Sequence, residues 1–126
     1  MERAECVQLL ARGSYLGRVA FVRDGLAHVI PVNYVVDAEA VMLRTAEGTS
    51  LSGLEGQAVA FEVDETTPMR HSGWSVLARG TAGRVTDEAT LTHLRHSTLR
   101  AWGRRAADCW IRIPIESITG RRIEPD

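Results

Sequence analysis

Two β-rich runs joined by the dipeptide Asp24-Gly25 constrain the fold of this sequence more than any other feature. The runs span residues 16–23 and 26–36 and consist mainly of β-branched, aromatic and aliphatic residues. Asp-Gly between two such runs is a strong signal for a tight antiparallel hairpin. Turns this short exclude the long crossover connections of a parallel sheet. The sequence therefore predicts an antiparallel architecture.

Helix and strand patterns continue on both sides of this hairpin. Residues 2–12 predict an amphipathic helix that ends at Gly13 and buries one apolar stripe. Further strands are predicted at residues 41–45, 58–63, 74–86 and 109–115, with bulges or tight bends at Gly80 and Gly83. A helical turn is predicted near Thr49, and a second helix from Asp87 to about Arg105. Residues 64–72 are predicted to form a loop, and residues 118–126 a tail. The pattern predicts one mainly β domain, residues 1–126, built as a small antiparallel barrel of five or six strands with helical additions.

Charge and cysteine usage exclude several function classes. The chain has 15 basic and 16 acidic residues, a formal charge of −1, which argues against a nucleic-acid groove. It has no apolar run long enough for a membrane span and no signal peptide. Cys6 and Cys109 form neither a zinc pattern nor a disulfide framework. We therefore expect a cytoplasmic protein that contacts neither nucleic acid nor membrane.

All basic residues of the chain are arginines, because the sequence contains no lysine. This excludes Schiff-base chemistry and a P-loop lysine. Any bound anion must be held by guanidinium groups, hydroxyls or backbone N–H groups.

Pro31 interrupts the second β-rich run at a position that cannot donate to a hydrogen-bond ladder. Such a break predicts an edge or a bulge, where one face of the strand becomes available to a neighbour. The backbone groups of Pro31, Val32 and Asn33 are the ones that this break would expose.

A second candidate region follows at residues 44–51. Guanidinium and hydroxyl donors of phosphate-binding type gather there around a glycine, and a helical turn that begins near Thr49 would add free N–H groups. In the alternative interpretation, the arginine lies on the surface and Thr49 merely caps one turn. The residues concerned are Arg44, Thr45, Gly48, Thr49 and Ser50.

Two histidines, His93 and His96, stand three apart on the predicted second helix and therefore share a face. This spacing suits a metal, but no third ligand is visible nearby. We expect no metal site.

Five co-linear segments resemble the pyridoxamine 5′-phosphate oxidase-like, FMN-binding split-barrel family. The segments are GRVAFVRDGLAHVIPVNYVVD, VMLRTAEGTSLSGL, VAFEVDE, HSGWSVLARGTAGRV and WIRIPIESITGR. The resemblance extends from about Leu10 to Arg122 and is strongest to short actinobacterial members. It implies a six-stranded antiparallel split β-barrel of Greek-key type that forms a homodimer, with FMN in a cleft between the subunits.

The resemblance also implies a set of cofactor contacts. The strand at residues 30–34 would run along the flavin ring, the segment at 44–51 would hold the ribityl phosphate, and the strand at 74–77 would approach from the other side. His71 would lie at the mouth of the cleft as a proton donor, unless it only faces water. Tyr34 and Trp74 would stack on the ring, unless they belong to the core. The implied contacts are Pro31, Val32, Asn33, Tyr34, Arg44, Thr45, Gly48, Thr49, Ser50, Trp74 and Ser75.

This sequence departs from the family at one position. Members commonly carry a lysine or arginine at the position of Ser50 or Leu51, and this chain has neither there. Arg44 is one candidate to replace that charge, and an arginine of a partner subunit is another, with Arg79, Arg112 and Arg121 as the candidates.

The implied function is that of a small FMN-dependent oxidoreductase acting on a small-molecule substrate. The chain continues only briefly after Arg122, without the C-terminal substrate-binding extension of the vitamin B6 oxidases, so we do not expect pyridoxamine phosphate as its substrate. The alternatives are a reductase that uses the deazaflavin F420, a non-enzymatic flavin carrier or sensor, and a barrel without a cofactor.

Overall fold

In the part of the chain that the structure describes, eight antiparallel strands form one curled sheet with two helices on it. The structure is a computed structural model and describes residues 1–13, 15–96 and 109–124. In chain order its helices and strands are α1 (Arg3–Arg12), β1 (Leu16–Arg23), β2 (Leu26–Asp37), β3 (Ala40–Thr45), β4 (Ala58–Thr67), β5 (Ser72–Thr81), β6 (Gly83–Arg84), α2 (Glu88–Arg95), β7 (Cys109–Pro114) and β8 (Ser117–Ile123). Short 3₁₀ helices, Ser52–Leu54 and Pro68–Arg70, precede and follow β4.

The strand order is β6-β7-β3-β2-β1-β4-β5-β8. The sheet curls until β5 meets the chain around β7, where the Glu116 N–H donates to the Arg79 carbonyl at 2.9 Å. A Cβ atom on Gly80 would overlap the carbonyl oxygen of Pro114, so this approach requires glycine. The predicted mainly β antiparallel barrel is confirmed, with eight strands where six were expected.

The predicted β1–β2 hairpin is also confirmed. Its turn places Asp24 at φ 54° and Gly25 at φ 76°, the left-handed conformations that a tight hairpin turn requires. Residues 26–33 of β2 pair with β1. From Tyr34 onward the other edge of β2 pairs with β3. β2 thus passes from one half of the barrel to the other immediately after Asn33, two residues beyond Pro31.

Side-chain alternation divides the apolar residues into two clusters. The larger, inner cluster fills the barrel and includes Val19, Leu43 and Phe61, with Leu9 and Leu10 of α1 closing it. The smaller cluster lies on the opposite face of β3 and β7 and is covered by α2. Its members are Ala40, Met42, Val85, Leu91, Leu94 and Trp110.

Three sequence predictions were wrong about strand boundaries. Residues 64–67, predicted as loop, extend β4 because they pair with residues 72–75 of β5. The predicted strand at 74–86 is two strands, since the chain changes partner at Gly83 and pairs with β7. The predicted tail contains β8, which pairs with β5. α2 is described as Glu88–Arg95, and its predicted continuation to Arg105 lies outside the described residues.

Candidate functional site

Pro31 and Asn33 share one face of β2, whereas Val32 and Tyr34 face the inner cluster. Val32 and Tyr34 are buried, and their neighbours on either side are more exposed, as the two-residue period of a strand requires. We call the face of β1, β2, β4 and β5 that bears Pro31 and Asn33 the outer face. Of residues 31–34, only Pro31 and Asn33 therefore present their side chains on the outer face.

Asn33 has a buried side-chain oxygen without a partner. Its Oδ1 atom is shielded from solvent and accepts no hydrogen bond from any described residue. A buried amide oxygen in this state costs free energy unless another group supplies a donor. The atom lies where β2 ends its pairing with β1 and begins its pairing with β3. This position fits a ligand that carries an N–H group.

Tyr34 belongs to the core. Its hydroxyl donates to the Leu10 carbonyl at 2.6 Å, and its ring meets Phe61 edge-on at a centroid distance of 4.9 Å. Burial, with a smaller contribution from the Glu65 carboxylate, raises the pKa of Tyr34 to about 12. This geometry favours the packing role that the sequence left open and turns the ring away from the outer face.

The segment from Thr45 to Ser52, which we call the hydroxyl loop, is closed by its own hydrogen bonds. The Thr45 and Thr49 hydroxyl oxygens are 2.7 Å apart. Thr49 donates to the Ala46 carbonyl at 2.8 Å and accepts from the Ser52 N–H at 3.2 Å. Gly48, at φ 79°, makes the turn and has open space around it.

The helical turn of the hydroxyl loop begins later than predicted. It spans Ser52–Leu54 as a 3₁₀ helix, so Thr49 precedes it and caps Ser52. The Thr49 hydroxyl therefore accepts from the first N–H of this helix, and its contact with a phosphate stays a prediction. The Ser50 residue is exposed, and its side chain is available to a ligand beside the loop.

Arg44 and Thr45 point to opposite faces of β3. The Arg44 guanidinium carbon lies 5.4 Å from the centre of the Trp110 ring, and Trp110 belongs to the cluster under α2. Thr45, one residue later, bonds to Thr49 in the hydroxyl loop. The structure thus places Arg44 on the same face as Asn33 and does not direct it to the Thr45 hydroxyl.

Arg23 is a residue that sequence reasoning missed. Its Nη2 atom donates to the Ser50 carbonyl at 3.1 Å, and its guanidinium carbon lies 4.9 Å from the centre of the Phe21 ring. Phe21 in turn stacks on His28, with centroids 5.1 Å apart. The hairpin register placed Arg23 at the end of β1, but no local pattern indicates contact with a loop 27 residues away.

Trp74 and Ser75 also separate onto two faces. Trp74 packs against the inner cluster and, with Leu9, Arg12 and Glu65, lines a cavity of about 340 Å³. Ser75 lies on the outer face between Asp64 of β4 and Arg121 of β8, which are its register partners. Ser75 is therefore placed on the same face as Asn33, and Trp74 is not.

His71 lies at the tip of the β4–β5 hairpin. It is exposed, and its backbone adopts φ 49°, ψ 40° at the end of the second 3₁₀ helix, where its N–H donates to the Pro68 carbonyl. This left-handed conformation is uncommon for a residue with a side chain. Its role as a proton donor remains a prediction.

A charged cluster occupies the outer face between Pro31 and Ser75. Arg18, the register partner of Pro31, lies 2.9 Å from Glu62 and 3.4 Å from Asp64. Burial and a hydrogen bond with Asp64 raise the pKa of Glu62 to about 6, against the opposing effect of Arg18. The cluster thus holds two adjacent carboxyl groups beside the predicted cofactor contacts.

A shallow apolar groove of about 740 Å³ continues the outer face toward the Asp24-Gly25 turn. Val22 and Val29, on its walls, are each 63% exposed. Contiguous exposed apolar surface of this kind marks a binding surface. The other walls include Ala20, Ala27, Ala58, Ala60, Arg79 and Thr81.

Residues 1–13, 15–96 and 109–124 contain no group of three or more histidine, cysteine, aspartate or glutamate side chains placed to hold a metal ion. None of the helices in these ranges is both long and apolar enough to cross a membrane.

The profile of the family described as pyridoxamine 5′-phosphate oxidase matches residues 2–122 of this chain. The chain belongs to this pyridoxamine 5′-phosphate oxidase family. An uncharacterised protein of Mycobacterium tuberculosis is 34% identical over 132 residues, covering 100% of this chain and 86% of the relative.

Two solved structures are similar to this chain. A protein from Mycobacterium smegmatis described as FAD-binding superimposes with a TM-score of 0.87 at 38% identity, covering 100% of this chain and 98% of that one. A protein from Mesorhizobium loti, also described as FAD-binding, has a TM-score of 0.76 at 22% identity, over 98% and 96% of the two chains. At that lower identity the likeness supports the fold alone.

Within this family fold, the predicted contact residues form two groups and three exceptions. The outer face carries Pro31, Asn33 and Ser75, with Arg44 at its border. The hydroxyl loop carries Thr45, Gly48, Thr49 and Ser50. Val32, Tyr34 and Trp74 are the exceptions, because their side chains pack in or against the inner cluster.

Proposed function

We propose that this chain is a flavin-binding protein whose flavin ring lies against the outer face at Pro31–Asn33. The observation that carries the proposal is the buried, unpartnered Asn33 Oδ1 atom among the described residues. A flavin ring ends in an imide, whose N–H lies between two carbonyls. Asparagine complements that edge, because its amide offers both an acceptor and donors.

The ribityl phosphate would extend from the ring to the hydroxyl loop. Thr45, Thr49 and Ser50 bring hydroxyl groups to one turn, and Gly48 leaves open space beside them. Hydroxyls and backbone N–H groups at such turns suit phosphate oxygens. The Thr49 hydroxyl already makes bonds within the loop, so its main contribution is to hold the loop in shape.

FAD is the flavin that we propose first. The Mycobacterium smegmatis protein, 38% identical over the whole of this chain, is described as FAD-binding. FMN, which the family resemblance implied, shares the ring, the ribityl chain and the first phosphate, so the same residues would hold it. F420 is the third candidate, but its acidic tail suits a more basic groove than a chain of net charge −1 offers.

A second copy of this chain would complete the site. The outer face bears Val22 and Val29 as strongly exposed apolar side chains. A symmetric dimer buries the same patch on both subunits. The patch adjoins the strand segment proposed for the ring, so a partner seated on it would cover the ring and exclude water.

When bound, the flavin supplies hydride or electron transfer. Asn33 would orient the ring by its imide edge, and Pro31 would give a flat, donor-free approach along β2. His71 is the proposed proton donor to a small-molecule substrate. We propose a small oxidoreductase that acts in the cytoplasm, in agreement with its two cysteines, Cys6 and Cys109, which form no disulfide.

Cofactor titration tests the proposal. The purified protein is titrated with FAD, FMN and F420, and binding is followed by absorbance and flavin fluorescence. We expect saturable binding near one flavin per chain, FAD the tightest. Asn33→Ala should weaken binding about tenfold or more through the lost hydrogen bonds, while Thr92→Ala on exposed α2 should leave it unchanged.

Three results would overturn parts of this proposal. Absence of binding by all three cofactors removes the flavin site. Binding that is indifferent to Asn33→Ala removes the ring position on β2. Binding without reduction of the bound flavin by NADH or NADPH favours a carrier or sensor over an oxidoreductase.

A further inference from the structure

We propose that Arg23 supplies the positive charge of the phosphate site, in place of the basic residue that the family commonly carries where this chain has Ser50 and Leu51. The inference rests on the proposed flavin function and assigns one residue of its phosphate subsite. Arg23 belongs to β1, so the charge would come from a different element than the loop that it serves.

The first argument is position. The Arg23 Nη2 atom donates to the carbonyl of Ser50 at 3.1 Å. A Cβ atom built on Gly53 would lie 3.3 Å from the same nitrogen. The guanidinium therefore lies against the hydroxyl loop, at the residue where the expected cation is missing.

The second argument is orientation. The Arg23 guanidinium lies over the Phe21 ring at 4.9 Å, and Phe21 is held by its stack on His28. Stacking on an aromatic face fixes the plane of a guanidinium. Arginine has five N–H donors, and the bond to Ser50 uses one of them. The others remain for an anion beside the loop.

The third argument is charge. Glu47, the acidic residue of the hydroxyl loop, pairs with Arg84 of β6, so its charge is offset locally. No carboxylate pairs with Arg23 within residues 1–13, 15–96 and 109–124. A guanidinium without a counter-ion beside hydroxyl groups is the donor set that a phosphate requires.

The ligand chemistry is a phosphate ester, which a flavin nucleotide or free phosphate could each supply. Riboflavin distinguishes the two, since it has the ring and the ribityl chain but no phosphate. We therefore compare riboflavin, FMN, FAD and inorganic phosphate as probes, on the full chain.

The test uses four variants. Arg23→Gln removes the charge and keeps an N–H donor for the Ser50 carbonyl. Arg23→Lys keeps the charge and loses the planar set of guanidinium donors. Arg3→Gln is the charge-matched control, because Arg3 pairs with Glu39, at the opposite end of β3 from Thr45. The double variant Arg23→Gln/Ser50→Lys returns a cation to the family's usual position.

We expect Arg23→Gln to weaken FMN and FAD binding about tenfold or more, as for a lost charge-assisted hydrogen bond, with riboflavin affinity changed less than about twofold. Arg23→Lys should give an intermediate loss of FMN and FAD affinity, and Arg3→Gln should give no loss. The double variant should recover most of the affinity. Circular dichroism of each variant establishes that it is folded.

Two results would overturn the assignment. Unchanged FMN and FAD affinity in Arg23→Gln shows that Arg23 does not bind the phosphate. Equal losses for riboflavin and FMN show that Arg23 only positions the loop. If the wild-type chain binds none of the flavins, the proposed function fails. In that case, inorganic phosphate still tests Arg23: stabilisation against thermal unfolding by phosphate in wild type, but not in Arg23→Gln, would show that Arg23 holds an anion.

Discussion

The Tyr34 hydroxyl donates to the carbonyl oxygen of Leu10 across 2.6 Å, inside the core. The bond ties β2 to α1 at the residue where β2 begins its pairing with β3. It therefore fixes the position at which the two halves of the barrel separate, next to the unpartnered Asn33 side chain.

Replacing Tyr34 by phenylalanine should destabilise the protein by about 1–2 kcal/mol, because the Leu10 carbonyl loses its buried donor. The ring remains, so its packing against Phe61 is kept. Urea unfolding followed by circular dichroism measures the change. Because we assign Tyr34 to the core, flavin affinity should stay within about twofold, and a large loss of affinity with normal stability would return Tyr34 to the cofactor site.

Glu62 should make the protein less stable as the pH rises from about 4.5 to about 6. The folded state raises the pKa of Glu62 from 4.5 to about 6, so the folded protein holds this proton more tightly than the unfolded chain. The corresponding stabilisation is complete below the unfolded pKa and is lost as the pH rises through the folded pKa.

The comparison of wild type with Glu62→Gln isolates this effect from other carboxyl groups. Urea midpoints measured between about pH 4 and pH 7 should show a difference between the two proteins that changes over the Glu62 range. Parallel curves across that range would mean that folding leaves the Glu62 pKa unchanged, because the Arg18 pair fully offsets burial.

Gly80→Ala should be strongly destabilising, by about 1–3 kcal/mol or more, because the added methyl group overlaps the Pro114 carbonyl where β5 approaches the end of β7. Gly83→Ala is the matched control. Its Cβ atom would meet nothing within 4 Å, so we expect a change within about 0.5 kcal/mol. Thermal unfolding of both variants measures the two changes in stability. Equal destabilisation by Gly80→Ala and Gly83→Ala would contradict the close approach of β5 to the end of β7.

Local patterns explain why much of the fold could be predicted. The β1–β2 hairpin depends on Asp24-Gly25 and on two adjacent runs, all within one stretch of sequence. β8 was missed because its partner, β5, is distant in the sequence and because its own residues lack a clear apolar alternation. At Gly120, for example, a side chain would overlap Met1 and Cys6 of the N-terminal segment, so no apolar residue marks that position.

The site was predicted less completely, for the same physical reason. The residue types at Asn33 and in the hydroxyl loop follow from the sequence, but the face that each side chain takes depends on register. Tyr34 and Asn33 are adjacent in sequence and point to opposite faces. Arg23 reaches Ser50 only because the barrel curls, which brings together residues 27 apart.

Val29→Asp should separate the proposed dimer and weaken flavin binding together. Val29 is 63% exposed on the outer face, so a charge there costs little in a monomer but is buried without a partner in a symmetric interface. Analytical ultracentrifugation at several concentrations, combined with flavin titration, measures both effects. Thr92→Asp, on exposed α2, is the control for added charge. If Val29→Asp lost flavin but kept the sedimentation coefficient of wild type, the outer face would contact the cofactor directly and the second copy would lie elsewhere.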